Sequence, residues 1–138
     1  MEQELRRVYY DPELGVEACL FRGIDQGFPE HFHTYYVIGT MDRGSREVTI
    51  AGETLRLAPG ELVFFQPGEP HARRPVGEER LDWRGLHVPQ EVMERAAEAV
   101  TGRRFAPHFT PPVLPGSELT SLFREVWELR SEERRVGK

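Results

Sequence analysis

The sequence predicts a mainly β fold, a sandwich or barrel, followed by two α-helices. Its first ninety residues or so contain about eight short runs rich in β-branched and aromatic residues, separated by turns at spacings of roughly 8–12 residues. No helical period occurs among these runs, which favours a sandwich or barrel over alternating strands and helices. After residue 88 the apolar positions recur at helical spacing instead. At 138 residues, the chain is expected to form one domain.

Turn residues divide the first part of the chain into the predicted strands. Asp11-Pro12 and Gly15 separate the first two strands, and a Gly/Pro loop over 23–29 precedes the third. The wholly apolar run 62–65 indicates a strand buried on both faces. The predicted strands are 7–10, 16–21, 32–41, 46–50, 54–57, 62–65, 71–75 and 81–88.

Two helices are predicted after the strands. Pro89 can occupy the first helical position of one helix, and Gly102 ends it. Ser117 can cap the second helix. Its apolar residues recur at i, i+3, i+4, i+7 and i+8, namely Leu119, Leu122, Phe123, Val126 and Trp127. Such a stripe must be buried against the barrel or a partner subunit. We therefore expect a β region over 1–88 and a helical dimerisation and linker region over 89–138.

Composition excludes several classes of protein. The formal net charge of −5 argues against DNA binding by this chain alone, and scattered basic pairs such as Arg73-Arg74 are expected on solvated faces. The single cysteine, Cys19, permits no internal disulfide and is expected to pack as a buried thiol. No signal core is present and no apolar run approaches the roughly 20 residues of a membrane span. We expect a cytoplasmic protein without membrane contact.

Three histidines are candidate metal ligands. His31 and His33 stand two residues apart in the segment PEHFHTYYVIG, so one strand would project both to the same face. His71 follows the loop QPGEP, which can return the chain beside that strand. Three imidazoles suit zinc, nickel, iron or copper. A metal site, the polar lining of a ligand pocket and a structural pair remain alternative interpretations.

Three further residues are candidates for the wall of a ligand pocket. Tyr35 falls on the same strand face as the two histidines. Trp83 and His87 alternate together along 81–88 and would add an aromatic wall if they face inward. The opposite register would place Leu86 and Val88 inside instead.

The segment HFHTYYVIGTMDRGSREVTIAGETLRLAPGELVFFQPGEPH resembles the two motifs of the cupin fold. More closely, it resembles the N-terminal ligand-binding and dimerisation domain of AraC-type transcriptional regulators. The matching features are HxH followed by Tyr-x-Ile/Val-Gly, the hairpin glycine Gly44 and the segment PGELVFFQPGEPH from Pro59 to His71. The resemblance implies a double-stranded β-helix, or jelly roll, with a small-molecule cavity between its sheets. It also implies a homodimer formed through the helices, and a DNA-binding helix-turn-helix domain that this chain lacks.

The resemblance favours a non-enzymatic domain that senses a small effector. His31, His33, Tyr35, His71, Trp83 and His87 are its expected ligand-binding residues. His31, His33 and His71 would hold zinc or nickel if a metal is bound, and no other cofactor is expected. In AraC-like proteins an N-terminal arm and a linker helix would carry the response, here 1–10 and 117–130.

The alternative is a small metal-dependent cupin enzyme of the dioxygenase or isomerase type. Catalytic cupins usually carry a glutamate ligand four or five residues after HxH, where this chain has Val37 and Ile38. That departure counts against catalysis. A structural module with an occluded cavity is a third interpretation.

Overall fold

The computed structural model describes residues 3–116 and 118–131, which form ten strands and two helices. The strands are β1 (Leu5–Asp11), β2 (Val16–Ile24), β3 (Phe28–His31), β4 (Tyr35–Arg43), β5 (Arg46–Ile50), β6 (Glu53–Leu57), β7 (Leu62–Phe65), β8 (His71–Pro75), β9 (Leu81–Pro89) and β10 (Val113–Leu114). The helices are α1 (Gln90–Thr101) and α2 (Glu118–Ser131). This order confirms the predicted mainly β fold with two helices after the main strands.

The strands form two antiparallel sheets with a shared core. The larger sheet has the order β1-β2-β9-β4-β7-β10, and the smaller sheet has the order β3-β8-β5-β6. Consecutive strands such as β4 and β5 lie in different sheets, so the chain crosses repeatedly between the layers. Because side chains alternate between the faces of a strand, each sheet supplies one inward apolar face. The buried residues between the sheets are Cys19, Ile24, Val37, Met41, Val48, Ile50, Leu57, Val63, Phe65, Leu81 and Trp83.

Trp83 is among the largest fully buried side chains of this core. Its ring lies over Gly39 of β4 and Gly85 of its own strand, which are direct partners across the sheet. A Cβ atom at Gly39 would overlap the indole ring. The two glycines therefore make room for a fully buried tryptophan.

The outer face of the larger sheet carries a second apolar cluster, which α2 covers. The indole N–H of Trp127 is shared between the carbonyl oxygens of Cys19 and Gly85, at 3.2 and 3.1 Å. The buried members of the cluster are Val16, Ala18, Tyr36, Leu62, Phe64, Leu86, Val88, Phe123 and Trp127. Because both faces of the sheet are covered there, β7 is buried along its whole length, as the apolar run 62–65 predicts.

The third predicted strand, 32–41, is wrong at its start. The chain bends over 32–34, so β3 ends at His31 in the smaller sheet and β4 begins at Tyr35 in the larger one. Part of the predicted loop 23–29 is therefore strand. Pro29 lacks a backbone N–H, and β3 tolerates it because it is an edge strand of its sheet.

α1 contributes little to the core. It begins after Pro89, which lies at the N-cap and not at the first helical position, and it ends at Gly102, whose φ of 81° forms the left-handed cap. Val92 and Met93 pack against the second cluster, yet α1 fully buries no side chain and Val100 is 85% exposed.

In α2 the predicted apolar stripe divides between core and surface. Phe123 and Trp127 are buried, whereas Leu122 remains 54% exposed and Val126 is also exposed. Ser117, the predicted N-cap, lies outside the described residues. Neither helix of the described ranges is long and apolar enough to cross a membrane.

Candidate functional site

The candidate site is a cavity of about 160 Å³ between the two sheets. It contains five of the six residues that the sequence predicts as ligand-binding. Its lining comprises Cys19, Phe21, Phe28, His31, His33, Val37, Phe65, His71, Arg73, Trp83 and His87. We call this space the inner cavity.

The structure brings His31, His33 and His71 together at one end of the inner cavity. His31 ends β3 and lies directly opposite His71, which begins β8, with ring centroids 4.4 Å apart. His33 lies in the bend between the sheets, and its carbonyl accepts a hydrogen bond of 2.8 Å from the backbone N–H of Gly68. One ligand atom from each histidine lies within 4.8 Å of the others. The three could therefore hold a metal ion, although His31 and His33 do not share a strand.

Backbone carbonyls orient two of these imidazoles. His31 Nδ1 lies 2.7 Å from the carbonyl of Pro29, and His71 Nδ1 lies 3.3 Å from that of Glu69. Since a carbonyl can only accept, Nδ1 donates in each case and Nε2 keeps its lone pair. His71 Nε2 is buried and has no hydrogen-bond partner among the described residues. This orientation of ligand histidines by outer hydrogen bonds is typical of metal sites.

Burial keeps the imidazoles of His33 and His71 neutral. It lowers the pKa of His33 to about 4 and that of His71 to about 4, and the neighbouring histidines and Arg73 act in the same direction. For His71, the hydrogen bond to the Glu69 carbonyl opposes the shift. At pH 7 both rings are unprotonated, which is the form that binds a metal.

His87 lies between Cys19 and Glu17. Its Nδ1 is 3.4 Å from Glu17 Oε1 and its Nε2 is 3.6 Å from Cys19 Sγ. The carboxylate accepts from Nδ1–H, so Nε2 accepts from the thiol. Burial raises the pKa of the Cys19 thiol and lowers the pKa of His87, the latter opposed by Glu17. Cys19 is a buried, neutral packing thiol that also lines the inner cavity.

Both registers considered for 81–88 occur, one on each face of β9. Trp83 and His87 line the inner cavity, while Leu86 and Val88 pack in the cluster on the outer face of the sheet. Tyr35 does not line the inner cavity. Its ring packs against His33 and His87, with centroids 4.7 and 4.9 Å apart, and lines an adjoining outer cavity of about 460 Å³. His87 lines both spaces.

Six lining residues were not predicted as ligand-binding, and Arg73 is the charged one among them. The expectation of a solvated Arg73-Arg74 pair is wrong for Arg73, which is only 7% exposed, and holds for Arg74. Strand alternation explains the difference, because in β8 Arg73 shares the inward face of His71. That alternation was the available signal.

The environment of the Arg73 guanidinium is aromatic. Its central carbon lies 4.6 Å from the ring centroid of Phe28, 4.6 Å from that of Trp83 and 5.8 Å from that of Phe65. Burial lowers its pKa to about 10, so it remains a cation at neutral pH.

The profile of the AraC-like ligand binding domain family matches residues 13–137. The chain belongs to this family. An uncharacterized HTH-type transcriptional regulator of Bacillus subtilis (strain 168), YbfI, is 38% identical to this AraC-like domain over 136 residues, which are 99% of the chain and 50% of that protein. The chain thus spans about half the length of this relative. These findings confirm the resemblance noted in the sequence.

Solved structures similar to this AraC-like domain include cupins. A cupin with a double-stranded β-helix fold from Methanocaldococcus jannaschii (mj0764) has a TM-score of 0.55 at 13% identity, covering 64% of this chain and 83% of its own. The cupin domain of Schizosaccharomyces pombe Cnp3 has a TM-score of 0.56 at 14% identity, covering 78% and 77%. A Streptococcus pyogenes protein of unknown function, SPY1581, has a TM-score of 0.52 at 26% identity, covering 64% and 76%. The predicted cupin jelly roll is confirmed.

Proposed function

We propose that this chain is the effector-sensing domain of an AraC-type transcriptional regulator, without catalytic activity of its own. The observation that carries the proposal is the inner cavity, a partly enclosed space with convergent polar groups in a member of the AraC-like ligand binding family. Regulation requires that an effector bind one arrangement of the domain better than another. DNA binding would belong to a further domain of the whole cytoplasmic protein.

The size of the inner cavity limits the effector. Pockets for drug-sized ligands measure about 300–1,000 Å³, whereas this space measures about 160 Å³. A small metabolite fits better than a large aromatic compound. A larger effector would have to extend past His87 into the outer cavity, where Tyr35 would contact it.

We further propose that His31, His33 and His71 bind zinc or nickel. The support is the unpartnered Nε2 of buried His71 and the spacing of the three ligand atoms. In tetrahedral zinc two nitrogen ligands lie about 3.4 Å apart. The histidine ligand atoms, which lie within 4.8 Å of one another, would therefore move together by up to about 1.4 Å through side-chain rotation. A bound metal would supply a Lewis acid to which an effector could attach.

The enzyme alternative receives less support. Within residues 3–116 and 118–131, the cluster that could hold a metal contains three histidines and no carboxylate. At the position of the usual cupin glutamate, Val37 lines the inner cavity with an apolar side chain. A sensor needs only binding, which this set can provide.

Metal analysis and thermal unfolding test these proposals. After passage over a chelating resin, Zn²⁺ or Ni²⁺ should bind in about one equivalent and raise the melting temperature of the wild type. His33→Ala should lose both effects, and His108→Ala, an exposed histidine outside the cavity, should retain them. A small-molecule library should then contain a compound that protects the protein without being converted. Stoichiometric iron or manganese that is lost in His33→Ala, together with turnover of a compound, would favour the enzyme instead.

We assign dimerisation to the helical region 89–138 and ligand binding to 1–88. The support is an apolar cleft of about 210 Å³ between α2 and the larger sheet. Exposed Leu122 and Val126 line it from the helix, and Ile38, Leu62, Phe64 and Leu86 line it from the sheet. A second copy of the chain is the proposed partner on this face.

A further inference from the structure

Among the described residues two arginines are buried, Arg73 and Arg46, and they differ in how their charge is balanced. Arg46 is fully buried and its Nε also has no hydrogen-bond partner among the described residues, but its Nη1 and Nη2 donate hydrogen bonds of 2.8 Å to the backbone carbonyls of Gln26 and Ile24. In Arg73 both Nε and Nη1 are buried without a hydrogen-bond partner among the described residues. After burial, the titratable groups that influence the pKa of Arg73 are Cys19, which is neutral at pH 7, and the like-charged Arg46. Arg73 is therefore a buried cation that no carboxylate of the described chain neutralises.

A buried cation without a counter-charge lowers the free energy of unfolding, unless a bound molecule supplies the opposite charge. An isolated buried ion costs several kcal/mol even after relaxation of its surroundings. Cation–π attraction to the rings of Phe28 and Trp83 offsets part of this unfavourable free energy. That attraction leaves the N–H groups of Nε and Nη1 without an acceptor among the described residues, and Arg73 lines the inner cavity. Nε–H and Nη1–H lie on opposite edges of the guanidinium, so an acceptor with two oxygens in one plane would pair with one of them together with Nη2–H.

We propose that the effector carries a carboxylate, which Arg73 binds in the inner cavity. This inference rests on the proposed sensor function and specifies the chemical class of its ligand. The cavity volume of about 160 Å³ corresponds to about five water molecules, so the acid has on the order of five to eight non-hydrogen atoms.

The lining favours a carboxylate over a phosphate. Phe21, Phe28, Phe65 and Trp83 form much of the wall, which suits a short hydrocarbon chain attached to the acid group. A phosphate carries up to two charges and three acceptor oxygens, and Arg73 is the one arginine or lysine among the described residues of the lining. The carboxylate group would lie against Arg73, and the hydrocarbon part against the aromatic rings.

Butyrate and its neutral isostere butyramide provide the test. Both are titrated calorimetrically into metal-free full chain in Tris–HCl, and the titrations are repeated with Zn²⁺. Butyrate should bind the wild type and raise its melting temperature, and butyramide should do neither. In Arg73→Met the affinity for butyrate should fall by roughly tenfold or more. Arg74→Met is the matched control, because Arg74 is exposed and its pair with Glu47 contributes little; it should bind like the wild type.

The melting temperatures of the ligand-free variants show whether Arg73 serves ligand binding or packing. Arg73→Met removes an unbalanced charge and keeps an apolar side chain of similar length, so its ligand-free melting temperature should equal or exceed that of the wild type. Arg73→Lys keeps the charge without the planar fork and should bind butyrate with intermediate affinity. An Arg73→Met variant that melts several degrees lower while no carboxylate protects the wild type would overturn the inference, since Arg73 would then serve packing alone.

Other outcomes separate this inference from the proposed function. A neutral compound that protects wild type and Arg73→Met equally would overturn the carboxylate and leave the sensor intact. Binding of inorganic phosphate, but of no carboxylate, would also overturn it. If no compound of any class protected the wild type, the sensor function would fail and the inference with it.

Discussion

His71 shows how single residues prepare this site. The backbone carbonyl of Glu69 fixes its tautomer, and Phe65 stacks on its ring with centroids 3.9 Å apart. Its Nε2 has no hydrogen-bond partner among the described residues and lies beside His31 and His33 at the inner cavity. Packing and hydrogen bonding therefore orient a lone pair before any ligand arrives.

The neutral histidines make the metal-free protein sensitive to acid. Burial lowers the pKa of His33 and His71 to about 4 in the folded state, against about 6.5 in an unfolded chain. Between these values the unfolded state binds more protons, so the free energy of unfolding should fall as the pH drops from about 6.5 towards 4. Urea unfolding of metal-free protein at several pH values measures this slope.

His71→Gln supplies the comparison for that slope. The variant lacks one buried imidazole, so its slope between pH 6.5 and 5 should be shallower by up to about 1.4 kcal/mol per pH unit. His108→Ala should keep the slope of the wild type. Equal slopes in His71→Gln and wild type would show that His71 does not resist protonation in the folded protein.

Sequence could place some of these residues and not others. The spacing of His31, His33 and His71 around a turn was sufficient to group them. Arg73 was missed because basic side chains are usually solvated, and the exposed neighbour Arg74 fits that rule. Its burial depends on the facing rings of Phe28 and Trp83, which come from other strands.

Among the elements, the strand boundaries were predictable where turn residues mark them. Asp11-Pro12, Gly44 and Gly60 separate strands as expected. The bend over 32–34 contains neither glycine nor proline. The strand propensity of the neighbouring aromatic residues therefore led to a predicted strand that includes the bend. The chain changes sheets there because β3 pairs with β8 and β4 with β7 and β9, and such long-range pairing leaves no local signal. β10 has only two residues, which is too short for a sequence pattern to predict a strand.

α2 and the start of the chain are joined by an ion pair. Arg130 Nη1 donates to Asp11 Oδ2 at 2.9 Å and to Glu13 Oε1 at 3.1 Å. Asp11 is 1% exposed and also accepts a hydrogen bond of 3.0 Å from the backbone N–H of Glu13. Asp11 is the last residue of β1, so this pair joins α2 to the end of the strand that follows on from the segment 1–10, which the resemblance associates with the effector response.

Loss of this link should destabilise the protein. Arg130→Met leaves the Asp11 carboxylate buried with its main charged partner removed, which should lower the free energy of unfolding by about 1–3 kcal/mol. Urea unfolding measures the effect. Arg95→Met breaks an exposed pair with Glu91 within α1 and should cost less than about 0.5 kcal/mol.

A double-mutant cycle isolates the interaction itself. Asp11→Asn combined with Arg130→Met should cost less than the sum of the two single changes, since each single change already breaks the pair. Additive costs, or an Arg130→Met effect no larger than that of Arg95→Met, would contradict a stabilising link between β1 and α2.

At the scale of the whole molecule, the two apolar cores differ in what they border: one borders the inner cavity and the other borders α2. The core between the sheets surrounds the inner cavity, and the core on the outer face is closed by one side of α2. The other side of that helix leaves Leu122, Val126 and Leu129 exposed along one stretch. Apolar residues clustered beside an apolar cleft are typical of a surface that contacts another protein.

We expect this surface to make the protein a dimer at tens of micromolar, measured by light scattering. Leu122→Glu places a charge beside the cleft between α2 and the sheet, so burial against a second copy would leave that carboxylate desolvated and unpaired. The variant should become monomeric while keeping the melting behaviour of a folded domain, because Phe123 and Trp127 still cover the sheet. Val100→Glu provides the matched control, since Val100 is an exposed apolar residue on the other helix. A monomeric wild type, or dissociation by Val100→Glu and not by Leu122→Glu, would exclude the α2 face as the dimer contact and would confine the role of α2 to covering the barrel.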